Sequence, residues 1–271
     1  MNTSENDNIV APSLEAEARE FSRQSIAKKQ AIDKVFVVLD CEFKWNREAH
    51  RLYQAIESGT GENEIRWPFC SIVCASWLTL RFRALDEEPI IEDFTTMTMP
   101  SNNEAEIVQA LCRTLSKNST ATAITWGGEA KDYASIRRAA AAHDIRLPPQ
   151  IQDGNPHTSR RIDLANATSC QAPNVHLPEF ATSIGIPAKL MMPSRSIGQL
   201  VEAENWPLVR EVCEQDVATT ALIAGRYLST HGLVSATGSA CDLAISRGII
   251  GQRPESEFAQ KYLVPWFRER T

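Results

Sequence analysis

Apolar and polar positions divide the chain into a strand-rich opening, a stretch of alternating strands and helices, and a helical end. Val35 to Leu39, within KVFVVLDCE, is an unbroken run of β-branched, aromatic and aliphatic residues bounded by charge. Such a run predicts a strand buried on both faces. Phe69 to Leu80 (FCSIVCASWLTL) predicts a second strand, and Arg81 to Met97, where charged and apolar pieces alternate, a third that pairs back on it. Residues 43–67 carry mixed charge and the turn cluster Ser58-Gly59-Thr60-Gly61, an excursion between strands. Asn102 and Asn103 precede a helix expected from Glu104 to Ser116, with Ile107, Val108, Leu111 and Leu115 on one face. Ala121 to Trp126 is the next buried strand; Gly127-Gly128 breaks it, and a helix is expected from Glu129 to His143.

Pro148, Pro149, Gly154 and Pro156 mark a loop, and Arg160 to Leu164 (RRIDL) reads as a short strand or the start of a helix. Leu177 to Ile184 predicts a short helix ended by Gly185 and Pro187, and Ser194 to Ala203 another. Asn205, with Pro207 in the first turn, is the expected N-cap of a long helix reaching about Ser229. The tail holds two further amphipathic pieces, one of them Glu255 to Phe267. Ser13 to Gln30 has helix-forming composition but a thin apolar face, so residues 1–32 read as a loosely held arm. Strands, then strand–helix alternation, then helices form an α/β pattern of three layers, with a mixed sheet whose first three strands are an antiparallel meander.

Composition narrows the function classes. The 271 residues, 43% hydrophobic and 23% charged, are ordinary for a globular protein and suffice for a sizeable core. A net charge of −6 argues against sequence-blind coating of DNA, but not against an enzyme that grips nucleic acid locally through metal ions. Seven cysteines, with no run long enough to span a membrane, point to a reducing, cytoplasmic setting. The polar, acidic start MNTSENDNIV resembles neither a secretory leader nor a basic transit peptide. Cys70 and Cys74 lack a second pair to close a zinc site, so the cysteines read as core thiols.

Carboxylates carry the candidate chemistry. Asp40 and Glu42, two apart on a strand, share one face at its end. Both are ionised at neutral pH and repel unless solvated apart or bridged by a cation, for which Mg²⁺ or Mn²⁺ suits hard oxygen donors. Asp216 falls among Val209, Val212, Cys213, Val217, Thr220, Ile223 and Tyr227, the apolar face of the long helix, where an acid is costly unless paired or bound to metal. Asp132, in a first helical turn, is also explained by the helix macrodipole alone.

The order of these acids resembles that of the DEDD 3′–5′ exonucleases, and in particular predicted exonucleases similar to the proofreading domain of family-B DNA polymerases. The stretches that carry the resemblance are VFVVLDCEF (35–43), TWGGEAKDYASI (125–136), RIDL (161–164), LPEFATSIGIPAKLM (177–191) and VCEQDVATTALIAGRYL (212–228), leaving the arm before 34 and the tail after 230 uncovered. The resemblance implies an RNase H-like fold over 33–232 and two divalent cations, Mg²⁺ or Mn²⁺, held by catalytic Asp40, Glu42, Asp132 and Asp216, while the amphipathic pieces of the tail are expected to form a helical extension over 233–271 packed on that domain. It implies a metal-dependent exonuclease acting on single-stranded 3′ ends of DNA or RNA, with no membrane partner. A catalytically weakened nucleic-acid-binding relative and a phosphodiesterase for short oligonucleotides are the alternatives.

Three positions depart from the family pattern. Gly127 and Lys131 stand where Asn and Phe are usual, and Val212 stands where a tyrosine one turn before Asp216 normally orients the attacking water. Glu211, about 140° further round the helix, is a weak substitute. His157, His176 and His231 are the candidates for a base from elsewhere, each also readable as an ordinary loop or surface histidine, and the alternatives are a slow enzyme or a metal-bound water that needs no protein base. Trp126 and Lys131 are candidate substrate contacts, with Arg137, Arg138, Arg160 and Arg161 as further cations for phosphates, though Trp126 reads equally as core and the cations as solvated side chains. Asp163 is expected to cap a helix or pair with Arg160 or Arg161.

Overall fold

The computed structural model describes residue 19 and residues 33–57, 65–83, 88–155, 157–188 and 195–271. Apart from Arg19, the helix expected over 13–30 lies outside the described residues, as does the turn cluster at 58–61. Five strands, β1 (Lys34–Trp45), β2 (Cys70–Phe82), β3 (Ile90–Thr98), β4 (Thr122–Thr125) and β5 (Arg161–Asp163), form one sheet in the order β3-β2-β1-β4-β5. β1, β2 and β3 make the expected antiparallel meander, while β4 and β5 run parallel to β1. The helices are α1 (Arg47–Ile56), α2 (Glu104–Lys117), α3 (Asp132–Ala142), α4 (Pro149–Gln152), α5 (Leu164–Ser169), α6 (Leu177–Ser183), α7 (Arg195–Glu202), α8 (Trp206–Thr230), α9 (Gly238–Gln252) and α10 (Val264–Arg268). The chain is thus the α/β three-layer fold that the pattern predicts.

β1 explains the layering. Its side chains alternate between two cores because successive residues of a strand point to opposite faces. Val37, Leu39 and Cys41 pack with Ile107, Leu111 and Leu115 of α2 and with Ile136 and Ala139 of α3. Phe36 and Val38 pack on the other side with Val217, Ala221 and Leu222 of α8. A strand covered on both faces needs no polar alternation, and each such side chain contributes roughly 1.5–3 kcal/mol by leaving water.

Local signals set the helix ends. Asn103 and Glu106 form a capping box at the start of α2, each side chain accepting from the other's backbone N–H. Asn205 caps α8 by accepting from the Leu208 N–H. RRIDL resolves into both of its readings, strand β5 followed at once by α5, with Asp163 as the cap. α3 begins at Asp132 rather than at Glu129. The intervening residues form turns because Gly127 adopts φ +76° and the N–H groups of Gly127 and Glu129 are bound by Asp163, not by a helix.

The last elements lie against α8. Glu211 accepts from the Ser256 hydroxyl at 2.8 Å and the Phe258 N–H at 3.0 Å, and Arg226 pairs with Asp242 at 2.7 Å. α9 crosses α8 at Gly225, where an added Cβ would stand 2.8 Å from Cys241 Cβ and 2.9 Å from Ile245 Cδ1. Alanine in place of glycine ordinarily strengthens a helix by about 1 kcal/mol. Here the clash outweighs that gain, so Gly225→Ala is expected to destabilise the fold by ~1–3 kcal/mol in urea unfolding. A variant as stable as the parent contradicts this account of the α8–α9 contact.

Candidate metal centre

Asp40 and Glu42 continue the face of β1 that carries Phe36 and Val38, and so project toward α8. Asp216 arrives on α8 from the opposite layer. Each of Asp40, Glu42 and Asp216 offers a carboxylate oxygen, and these three oxygens lie within 4.8 Å of one another. All three acids line a cavity of about 640 Å³ at the C-terminal end of β1. Asp132, at the first position of α3, lines the same cavity but stands outside that closest group.

Electrostatics in this cavity run against ionisation. The Asp40 carboxyl is pushed well above the usual carboxylate range, first by burial and then by the charges of Glu42, Asp132 and Asp216. A hydrogen bond from Cys213 opposes this: its thiol lies 3.6 Å from both Asp40 Oδ2 and the Asp40 carbonyl. The Asp132 carboxyl is raised to about 7, mainly by burial, with Asp163 adding to the rise and Lys131 opposing it. A half-buried cluster of hard oxygen donors, in and beside which the Asp40 and Asp132 carboxyls are held above their ordinary range, fits a divalent cation of the Mg²⁺ or Mn²⁺ kind.

Asp132 is placed by a residue deeper in the fold. Asp163 Oδ1 accepts from the Gly127 N–H at 2.7 Å and Oδ2 from the Glu129 N–H at 3.1 Å, while Ala165 N and Asn166 Nδ2 complete its set. It therefore caps α5 as expected, but it tethers the turn before α3 rather than pairing with Arg160 or Arg161. Arg161 is buried and pairs with Glu129 at 2.7 Å, with further bonds to the carbonyls of Gln150, Asp153 and Asn155. Arg137 is tied to the carbonyls of Ile151 and Asp153, and Arg138 to Glu104. Arg160 precedes β5, at the end of that strand away from the cavity. Arg137, Arg138 and Arg161 thus hold the scaffold rather than a phosphate.

Lys131 lines the cavity, its ammonium 4.0 Å from the centre of the Phe43 ring and 5.8 Å from that of Trp45. Trp126 also lines it, but its indole N–H donates to the Val175 carbonyl at 3.3 Å and its ring packs on Phe180 at 5.1 Å. Val212 is buried among Ile197, Val201, Trp206 and Val209, an apolar setting with no hydroxyl to offer. Glu211 faces the C-terminal segment instead of the acids. Sequence reasoning passed over Cys213 as a partner of Asp40, although its position three residues before Asp216 puts both on one helical face.

Residues 63–266 match the family of predicted 3′–5′ exonucleases related to the exonuclease domain of PolB. The chain belongs to this family. The matched range begins past Asp40 and Glu42, and it runs on through the tail that the sequence resemblance left uncovered. Among solved structures, the family B DNA polymerase from the hyperthermophilic archaeon Pyrobaculum calidifontis is similar over 88% of this chain, with a TM-score of 0.50 and 13% sequence identity. The similarity takes up 29% of that polymerase chain, and at this identity it shows the fold alone. Curated protein sequences gave no match. Among the described residues, no helix is long and apolar enough to cross a membrane.

The raised Asp132 carboxyl has a measurable consequence. Its value of about 7 in the folded protein exceeds the ordinary carboxyl value of 3.8 that holds in the unfolded chain. Between those values the folded state holds the proton and the unfolded state does not, so this group's stabilisation is fully present below about pH 4 and is lost as pH rises through about 7. Metal-free protein in EDTA is expected to lose stability across that window in urea unfolding. Asp132→Asn should flatten the slope, and Mn²⁺ should raise stability most at the alkaline end. A parent slope unchanged by Asp132→Asn contradicts the assignment.

Proposed function

We propose that this protein is a 3′–5′ exonuclease that removes nucleotides from single-stranded ends, using two Mg²⁺ or Mn²⁺ ions held by Asp40, Glu42, Asp132 and Asp216. The observation that carries the reading is the meeting of Asp40, Glu42 and Asp216 oxygens within 4.8 Å, in a cavity that Asp132 also lines. Divalent cations bound there would neutralise the phosphodiester and make the attacking water more acidic. The family membership of the chain supports the same reaction.

The chain's own residues divide the remaining work. Lys131, held against the Phe43 ring, brings a positive charge to the cavity wall where a phosphate would lie. Trp126 lines the same wall, and its bond to Val175 favours a positioning role over stacking on a base. An adjoining cavity of about 500 Å³ shares Phe43, Trp45 and Gly198 with the first. Ile72, Val73, Met99 and Val201 line it, with Lys44 and Arg47 also on its wall. Glu48, Glu104 and Glu202 share that wall and Arg47 pairs with Glu202 at 2.6 Å, so its apolar surface with exposed Trp45, suited to unstacked bases, is what favours a single strand over a duplex.

Incubation with 5′-labelled single-stranded DNA and RNA in Mn²⁺ tests the proposal. A descending ladder that EDTA stops is expected, and Asp216→Asn should slow it at least ~100-fold, as loss of several kcal/mol of charge stabilisation requires. Cleavage of a closed circular strand, or turnover indifferent to EDTA and to Asp216→Asn, contradicts it.

A further inference from the structure

The reaction proposed above releases a proton from the attacking water, and with the four carboxylates committed to cations the cavity needs another acceptor. Val212, one turn before Asp216, is buried among apolar side chains and provides none. Besides the acids and Lys131, the titratable side chains lining the cavity among the described residues are His176 and Cys41, and burial pushes the Cys41 thiol well above its ordinary range. The other four of the five histidines are placed elsewhere. His50 is buried with its ring against Phe69, and His143 lies 3.1 Å from Glu104. His157 sits in the exposed loop before β5, and His231 stacks on Tyr227 at 3.9 Å beside a separate cavity.

The mount of His176 is rigid. It occupies the N-cap of α6, and its carbonyl accepts from the Phe180 N–H at 3.1 Å. The preceding Val175 carbonyl is bonded to Trp126, the residue before Gly127, so the turn that leads to Asp132 and the segment that carries His176 are tied together. The following Leu177 is buried in the core. The residue itself is exposed, and among the described residues its ring has no hydrogen-bond partner, which leaves it open to a water in the cavity. The charged groups around it are Asp40, Glu42, Asp132, Asp216 and Lys131 on the cavity wall and Glu179 on its own helix.

Resting on the exonuclease reading, we infer that His176 is the general base of this enzyme, a role that no carboxylate in the cavity is free to fill. The water oxygen bonds to phosphorus and the bond from phosphorus to the 3′ oxygen of the preceding nucleotide breaks. One water proton passes to the His176 imidazole, the departing 3′ oxygen takes a proton from solvent, and the imidazolium then returns its proton to solvent. The products are a nucleoside 5′-monophosphate and a strand one nucleotide shorter. An imidazole is suited to this because one ring nitrogen can accept a proton while the other donates a hydrogen bond.

His176→Ala and His176→Gln, both checked for folding by circular dichroism, are compared with the parent on a 5′-labelled oligonucleotide in Mn²⁺. The expected result is a fall in kcat of roughly 10²–10⁴-fold, the usual contribution of a general base, with oligonucleotide affinity nearly unchanged. The acid limb of the parent's rate profile should shift or disappear, and added imidazole should restore turnover to His176→Ala. Independently of turnover, the His176 ring resonance should move when an uncleavable phosphorothioate oligonucleotide is added with Ca²⁺. Variants as fast as the parent, or variants that lose affinity while keeping kcat and the pH profile, overturn the assignment. A parent with no metal-dependent hydrolysis overturns the exonuclease reading and this assignment together, whereas an active parent beside equally active variants overturns only the role of His176.

Discussion

Repulsion among carboxylates at the end of a buried strand is the constraint around which this protein is built. Asp40, Glu42 and Asp216 come from two layers of the fold and meet within 4.8 Å. Burial and mutual charge hold the Asp40 carboxyl well above its ordinary range, so the arrangement is unfavourable until a cation enters it. A fold accepts such a site only if the surrounding core is strong enough to hold it. Here that core is the double-sided packing of β1, with Val37 and Leu39 on one face and Phe36 and Val38 on the other. The strand cannot slip by one residue to separate the acids, because a slip would turn both apolar sets the wrong way.

The polar scaffold serves the same end. Asp163 spends its oxygens on the Gly127 and Glu129 N–H groups and on the start of α5, which fixes the turn that delivers Asp132. Arg161, buried beneath, pairs with Glu129 and collects three carbonyls. Removing one partner from such a buried set costs more than the set contributes when whole, since the orphaned groups stay desolvated. The cations near the acids are therefore mostly structural. Lys131 differs: its ammonium rests against an aromatic ring on the cavity wall.

Much of this was legible in the residues because short-range physics decides it. The meander, the capping box at Asn103, the Asn205 cap and the even-numbered face of β1 all follow from side-chain period and terminal hydrogen bonding. What escaped depends on contacts distant in sequence. The start of α3 was misplaced because Asp163, more than thirty residues on, binds the N–H groups that a helix would have used. The binding of Arg137, Arg138 and Arg161 is hidden for the same reason, since their partners are carbonyls and acids distant or unpatterned in the sequence, such as the Ile151 carbonyl for Arg137 and Glu104 for Arg138. Val212 is legible as a departure, and the structure adds that it packs among Ile197, Val201, Trp206 and Val209.

The central claim, that the carboxylates at the end of β1 hold divalent cations, is tested most directly by anomalous diffraction from crystals soaked in Mn²⁺. The account predicts anomalous density bounded by the side chains of Asp40, Glu42 and Asp216, within reach of Asp132, and its loss in crystals of Asp40→Asn. Density confined to other parts of the molecule, or density at this site unaffected by Asp40→Asn, would contradict it.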